Sequence, residues 1–353
     1  MGLLRALLAL SVLQSHIWTP GFGYGFGGSL SVELFFLISG YFVSSILVSS
    51  YTDRRKFFAS RFLRLYPQYF IILALISFRF LIFPEYRGDS PDFPKLVRVV
   101  SFIPNFTFAG SDWMTFLGIE NSSLSLIRQE SNFSPLWGLL WVPQIWSLGI
   151  EITFYALAPF LCKFKSRHLV AFGLILVSLR LTAVASGLNF DPWTYRFFPF
   201  EMPLFLAGIL IQRSRRNLVD RRFQFLNSSI LLYANLILAF ILTGYFQPTS
   251  EFMRLIVLVV LVILVVIPIM ISDWSRFDRS LGELSYPIYI CHIFVFQSIS
   301  SLTTLLQEKG FVPQFSRSTV LWDLIVILSV ILFALLLVWA VSPIERFRAK
   351  FRN

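Results

Sequence analysis

Stretches of about twenty apolar residues recur from one end of this chain to the other, and that spacing decides the class of fold before any motif is read. A helix of that length crosses the ~30 Å hydrocarbon core of a bilayer while satisfying its own backbone hydrogen bonds. We place helices near 3–19, 29–50, 66–83, 144–163, 168–187, 195–212, 225–246, 252–272, 284–306 and 319–341. Composition points the same way: 56% of the 353 residues are hydrophobic and 14% charged, against roughly 25% charged in soluble domains. The expected fold class is therefore all-α, a polytopic membrane helix bundle of about ten transmembrane helices. We expect one membrane-embedded domain over 1–353, without an internal repeat or a separate soluble domain. The opening segment, Met1 to Trp18, is read as an uncleaved first span, because no small-residue cleavage site follows its apolar run.

The net charge of +11 raises the question of nucleic acid, but the basic residues form short clusters between apolar stretches. Topology accounts for them. Twenty of the 30 Lys and Arg residues fall at Arg5, in the connections around Arg54 to Arg64, Lys163 to Arg167, Arg213 to Arg222 and Arg276 to Arg279, and in the tail from Arg346 to Arg352. Eight fall in the connections on the opposite side, and Arg79 and Arg180 lie within spans, near enough to helix ends to snorkel. The positive-inside rule then makes both termini cytoplasmic. Cys162 and Cys291 supply neither a disulfide framework nor CxxC metal spacing, and we expect no metal.

The longest connection, about 84–143, lies on the outer side and is rich in Pro, Ser, Asn and aromatic residues. Connections of that length are often functional, and an acceptor substrate would be met there. Its segment 95–109 is too short and too broken for a span and reads as a re-entrant or interfacial helix.

Ionisable groups inside spans are the informative ones, since each charge at mid-bilayer costs about 2.5 to 3.5 kcal/mol. They are His16, Glu33, Glu151, Glu201 and His292. Carboxyls in such positions must face a polar cavity, find a partner or stay protonated, so a chamber within the bundle is expected. His16, near the outer end of the first span, is placed to take a proton from a hydroxyl, which is a poor nucleophile without such help. An interfacial hydrogen-bonded histidine is the plainer alternative. Glu33 on the next helix could orient that imidazole through its other nitrogen, or form a structural interhelix hydrogen bond. Glu151 enters an aromatic helix start as a chamber-lining group, and His292 is a further polar candidate.

Arg61 and Arg64 are spaced one helical turn apart at the cytoplasmic rim of the third span. Guanidinium forks grip phosphates bidentately, so the pair suits a nucleotide-containing donor such as coenzyme A. Neighbouring Arg54, Arg55 and Lys56 read better as topology signals and contacts to anionic membrane lipids. The glycine string Gly21 to Gly28 joins two spans rather than a strand and a helix, and is assigned to an outer turn.

Taken in order, Arg5 to Leu7 leading to His16, Ser31 to Phe42, Phe58 to Pro67, Trp146 to Tyr155, Leu281 to His292 and Ile344 to Phe347 resemble acyltransferase family 3, the membrane-bound acyl-CoA-dependent acyltransferases. The likeness covers nearly the whole chain. It departs at Ser60, where a second arginine often stands, at Gly149, where serine is common, and at Ile152, in place of a frequent second acid. It implies transfer of an acyl group, commonly acetyl, from cytosolic acyl-CoA to a hydroxyl of a cell-envelope carbohydrate or glycolipid at the bacterial inner membrane. It matches His16 to the family's first-span histidine, and Arg61 with Arg64 to its donor-associated arginines. Glu33 would tune His16, and Glu151 would complete the catalytic set. The competing reading is a proton-coupled transporter or flippase of envelope glycans, in which the same His and Glu residues form a relay.

Overall fold

The structure, a computed structural model, describes every residue except 18–24, 50–52, 83–92, 122, 128–133, 221–228, 247, 273, 312–318 and 351–353. Half of the glycine string, residues 21–24, therefore lies outside the described residues. In chain order the helices are α1 (Gly2–Gln14), α2 (Gly28–Ser49), α3 (Arg54–Ile82), α4 (Lys95–Val100), α5 (Phe102–Thr107), α6 (Trp146–Leu161), α7 (Ser166–Ala185) and α8 (Phe198–Asp220). They continue as α9 (Ser229–Tyr245), α10 (Glu251–Leu261), α11 (Ile267–Ile271), α12 (Arg276–Glu283), α13 (Ser285–Glu308) and α14 (Val320–Ala349). Helix covers most of the described residues in each of the ten stretches expected from the sequence. Six segments, Gly28–Val48, Arg54–Ile82, Ser166–Ala185, Glu251–Ile271, Arg276–Glu308 and Val320–Ala349, are long and apolar enough to cross a membrane, and Gly2–Gln14 and Ile230–Tyr245 are shorter apolar helices. The chain is a multi-pass membrane protein.

The long connection, about 84–143, carries more structure in its described residues than its sequence suggested. Segment 95–109 resolves into the two short helices α4 and α5, the second closed by Phe108 in the left-handed region at φ 61°. A small antiparallel sheet follows, of β1 (Leu117–Glu120), β2 (Ser123–Leu126) and β3 (Ser134–Pro135) in the order β2-β1-β3, with Leu117 opposite Leu126. This sheet is a minor addition to an otherwise helical fold.

The chain forms two compact units whose segments alternate along the sequence. The first comprises Met1–Phe35, Leu63–Gln68 and Arg213–Lys350. Within it α1 packs on α12 and α13, and α13 packs on α14. α14 shows how the membrane shapes such a helix. Trp322, Val326, Val330, Ala334, Leu337 and Val341 are buried along one face, while Leu328, Leu332, Leu336 and Trp339 stand exposed on the other. A helix apolar on both its packed and its open face suits lipid rather than water. Its start is fixed by Thr319, whose hydroxyl accepts from the Trp322 N–H at 3.3 Å. Between α10 and α11 the helix widens into a π turn at Val262–Val266, and the Asn235 amide donates to the Leu264 carbonyl at 2.7 Å.

The second unit comprises Phe36–Phe62 and Tyr69–Gln212. There α2 and α8 meet backbone to backbone. A Cβ on Gly40 would lie 2.2 Å from the Phe205 carbonyl oxygen, and one on Gly208 would lie 2.2 Å from that of Leu37. Only glycine permits such an approach, which is the way membrane helices commonly gain close packing. Phe154 of α6 stacks on Phe205 with ring centroids 4.1 Å apart, and Phe36 lies against Phe205 at 5.1 Å.

Candidate functional site

In the first unit the position of α1 is set at its start. The buried carboxylate of Asp278, in α12, accepts from the backbone N–H groups of Gly2 at 2.7 Å and Leu3 at 3.0 Å. Those groups have no partner within their own helix, and an anion there also meets the positive end of the helix dipole. Beside this cap Gly2 and Gly282 touch: a Cβ on Gly282 would lie 3.0 Å from Gly2 Cα. α1 and α13 then run side by side, and the same alignment sets His16 beside His292.

His16 follows the last turn of α1, its N–H bonded to the Leu13 carbonyl at 2.9 Å, and its side chain is exposed. Its ring centroid stands 5.2 Å from that of His292, with the planes inclined by 30°. His292 lies in α13 and is wholly buried. Its Nδ1 is 2.6 Å from the Tyr289 carbonyl, one turn earlier in the same helix. An oxygen there can only accept, so Nδ1 carries the hydrogen and Nε2 presents its lone pair. Nε2 is buried without a hydrogen-bond partner among the described residues.

Glu33 is also wholly buried in this unit, and its carboxylate is ion-paired with the guanidinium of Arg254 in α10. Arg254 holds Glu251 as well, through Nη2 at 2.5 Å and Nε at 2.7 Å. One cation thus carries two carboxylates among apolar helices, each with charge-assisted hydrogen bonds. In the sequence Arg254 stands at the start of an apolar run, where a single arginine reads as an end marker. Glu251 three residues earlier, with Ser250 capping the helix, was the signal available. Arg64 belongs to this unit and is half-buried on α3.

In the second unit Glu151 of α6 accepts at Oε1 from Ser39 of α2 at 2.9 Å and from the Tyr155 hydroxyl one turn along α6. Arg61 is buried, with its guanidinium carbon 5.9 Å from the ring of Tyr155 and 5.9 Å from that of Phe57. Ser39 and Tyr155 therefore meet at the Glu151 carboxylate, with Arg61 near the Tyr155 ring. Arg180 corrects an expectation. It is buried rather than snorkelling, 3.4 Å from the Glu201 carboxylate and donating to the carbonyls of Thr194 and Phe200. That pairing sets opposite charges beside each other inside the fold.

Outside the spans Asp112 is buried close to the start of α6, and burial pushes its carboxyl up to about 6. Near the start of α8 Arg196 pairs with Asp191 at 2.5 Å and covers the Trp146 ring at 4.4 Å. Among the described residues no cluster of three or more His, Cys, Asp or Glu is placed to hold a metal.

Apolar helices that bury histidine, carboxylate and guanidinium groups at a few internal points define a polytopic membrane protein with ionisable groups among its helices. The chain belongs to acyltransferase family 3, the acyltransferase domain family, which matches residues 1–339. It is 26% identical over 204 residues to a protein named "Putative O-acetyltransferase" from Staphylococcus aureus strain COL, covering 53% of this chain and 30% of that one. It is 29% identical over 166 residues to "Peptidoglycan O-acetyltransferase OatA" of Listeria monocytogenes, covering 44% of this chain and 22% of that one. The matched regions thus span less than a third of these relatives' own length. No solved structure matches the chain.

Proposed function

We propose that this chain moves an acyl group, acetyl in the first instance, from cytosolic acyl-CoA to a hydroxyl of a cell-envelope carbohydrate or glycolipid. Ten spans with both termini in the cytoplasm, in a bacterial inner membrane, give the donor and the acceptor opposite sides from which to approach. The observation that carries the reading is His16: an exposed imidazole at the end of an apolar helix, held beside a buried second imidazole, in a chain that belongs to an acyltransferase family. The names of the relatives favour acetyl as the group and a glycan of the envelope as the acceptor.

In this reading Arg61 and Arg64, one turn apart on α3, grip the phosphates of the coenzyme A moiety. His16 takes the proton of the attacking hydroxyl as its oxygen bonds to the acyl carbonyl carbon. The carbon–sulfur bond then breaks, and the proton goes to the departing coenzyme A thiolate. Glu33, neutralised by Arg254, and Glu151, joined to Tyr155 and Ser39, keep the interior polar enough for a charged donor.

The test is purified protein in lipid with radiolabelled acetyl-CoA and peptidoglycan fragments, comparing wild type with His16→Ala and Arg64→Ala. His16→Ala should lose about 10²–10⁴-fold in turnover, and Arg64→Ala should raise the KM for acetyl-CoA. Glycan movement across the bilayer that needs no acetyl-CoA and survives both changes would instead identify a transporter.

A further inference from the structure

His292 stands beside His16, and its chemistry is set by its own helix. The Tyr289 carbonyl fixes the hydrogen on Nδ1, which leaves Nε2 as a pure acceptor. That nitrogen is fully desolvated and has no hydrogen-bond partner among the described residues. A buried acceptor without a donor costs free energy, so its persistence asks for a donor that arrives or turns toward it. The neighbouring ring that can supply an N–H is His16, at 5.2 Å between centroids and only 30° from parallel. His16 is exposed and its ring adjoins that of His292, so rotation of its side chain can carry an N–H toward Nε2.

We propose that His292 is the positioning residue for His16. Its Nε2 accepts the N–H of His16, which fixes one tautomer of that imidazole and leaves the other nitrogen basic. The inference rests on the reading of His16 as the base that deprotonates the acceptor hydroxyl. In the transfer the proton moves from the hydroxyl to the basic nitrogen of His16 and from there to the coenzyme A thiolate. His292 keeps its Nδ1 hydrogen throughout and exchanges nothing. The arrangement assigns to a neutral imidazole the orienting part that a carboxylate takes in a Ser-His-Asp triad, without placing another charge in the membrane interior. Asp278 and the Gly2–Gly282 contact set the alignment of α1 on α13 that the pair requires.

The chain has three histidines, so each ring nitrogen can be assigned by removing one histidine at a time. The full-length protein, labelled with ¹⁵N-histidine and held in lipid, is observed by solid-state NMR alongside acetyl-CoA turnover. In the wild type His292 should show a protonated Nδ1 and His16 a single tautomer. In His292→Leu the His16 signals should become those of mixed tautomers. Turnover should fall on the order of a hundredfold while the KM for acetyl-CoA stays within about twofold. His292→Gln, whose amide oxygen can accept near the place of Nε2, should recover most of that loss. Mixed tautomers of His16 in the wild type, or a protonated Nε2 on His292, would overturn the proposal even if His292→Leu fails to fold. Full turnover in His292→Leu beside an inactive His16→Ala would overturn it while leaving His16 as the base. Full turnover in His16→Ala would remove both readings together.

Discussion

Glu33 and Arg254, 221 residues apart in the sequence, form an ion pair inside the first unit, and the same guanidinium also holds Glu251. Removing one partner of a buried pair leaves the other as an uncompensated charge, which typically costs about 3–5 kcal/mol. Arg254→Met strands two carboxylates and should lower the melting temperature of the protein in lipid markedly. Adding Glu33→Gln removes one of them, so the double variant should be more stable than Arg254→Met alone. A double variant that loses the full sum of the two single losses would show that the groups are not coupled.

A second pairing concerns Glu151. Its Oε1 accepts from both Ser39 and Tyr155, and glutamine keeps that oxygen whereas leucine does not. Glu151→Gln should therefore melt close to wild type. Glu151→Leu, leaving two hydroxyls short of an acceptor, should lose about 1–3 kcal/mol. If Glu151 also works in the reaction, Glu151→Gln will show lowered turnover at unchanged melting temperature, and comparing the two readouts separates the roles.

These pairs mark where the sequence was legible and where it was not. Hydrophobic runs located the ten helical stretches because apolar length is a local property. The same runs also concealed Arg254: a single cation at the edge of an apolar stretch looks like an end marker until the fold brings Glu33 to it. Arg180 was misread for the converse reason. Snorkelling is the default for an arginine near a helix end, and only the chain that follows α7 brings Glu201 and the Thr194 carbonyl to it. At Gly149 a departure from the family pattern becomes intelligible. A Cβ there would stand 2.5 Å from the Ser111 hydroxyl, which already bonds the Phe108 and Ile145 carbonyls. Ser111, from the connection 84–143, occupies the space that a side chain at position 149 would need. The sequence singles out His16 and His292 separately but not their proximity, since His292 comes next to His16 only through the register of α1 on α13.

The crossing of α2 and α8 gives a third prediction. A Cβ on Gly208 would lie 2.2 Å from the Leu37 oxygen and 2.6 Å from the Tyr41 nitrogen. Both are backbone atoms, so no side chain can rotate aside. Gly208→Ala should force the helices apart, costing about 1–3 kcal/mol or more, and should reduce the yield of folded protein. Gly138→Ala is the matching control, because nothing lies within 4 Å of a Cβ at that position. Size-exclusion profiles and melting curves of the two variants should differ sharply. Equal behaviour would mean that the helices do not touch at these glycines.

Asp112 yields a prediction whose sign depends on pH. It is 6% exposed, and burial holds its carboxyl at about 6 in the folded protein, above the ordinary value of 3.8. A group that binds its proton more tightly when folded lowers stability as pH rises through the interval between those two values. Its contribution is thus least unfavourable below about pH 4, worsens from there to about pH 6, and is constant above. At 1.36 kcal/mol for each pH unit of difference, the ionised carboxylate costs on the order of 3 kcal/mol at neutral pH. Asp112→Asn removes the charge and keeps the side chain's size. The variant should therefore melt higher than wild type at pH 7.5, with the advantage shrinking through pH 5 and gone below pH 4. An advantage that does not change with pH would trace to packing, and a lower melting temperature at pH 7.5 would mean that the carboxylate is ionised and stabilised where it lies.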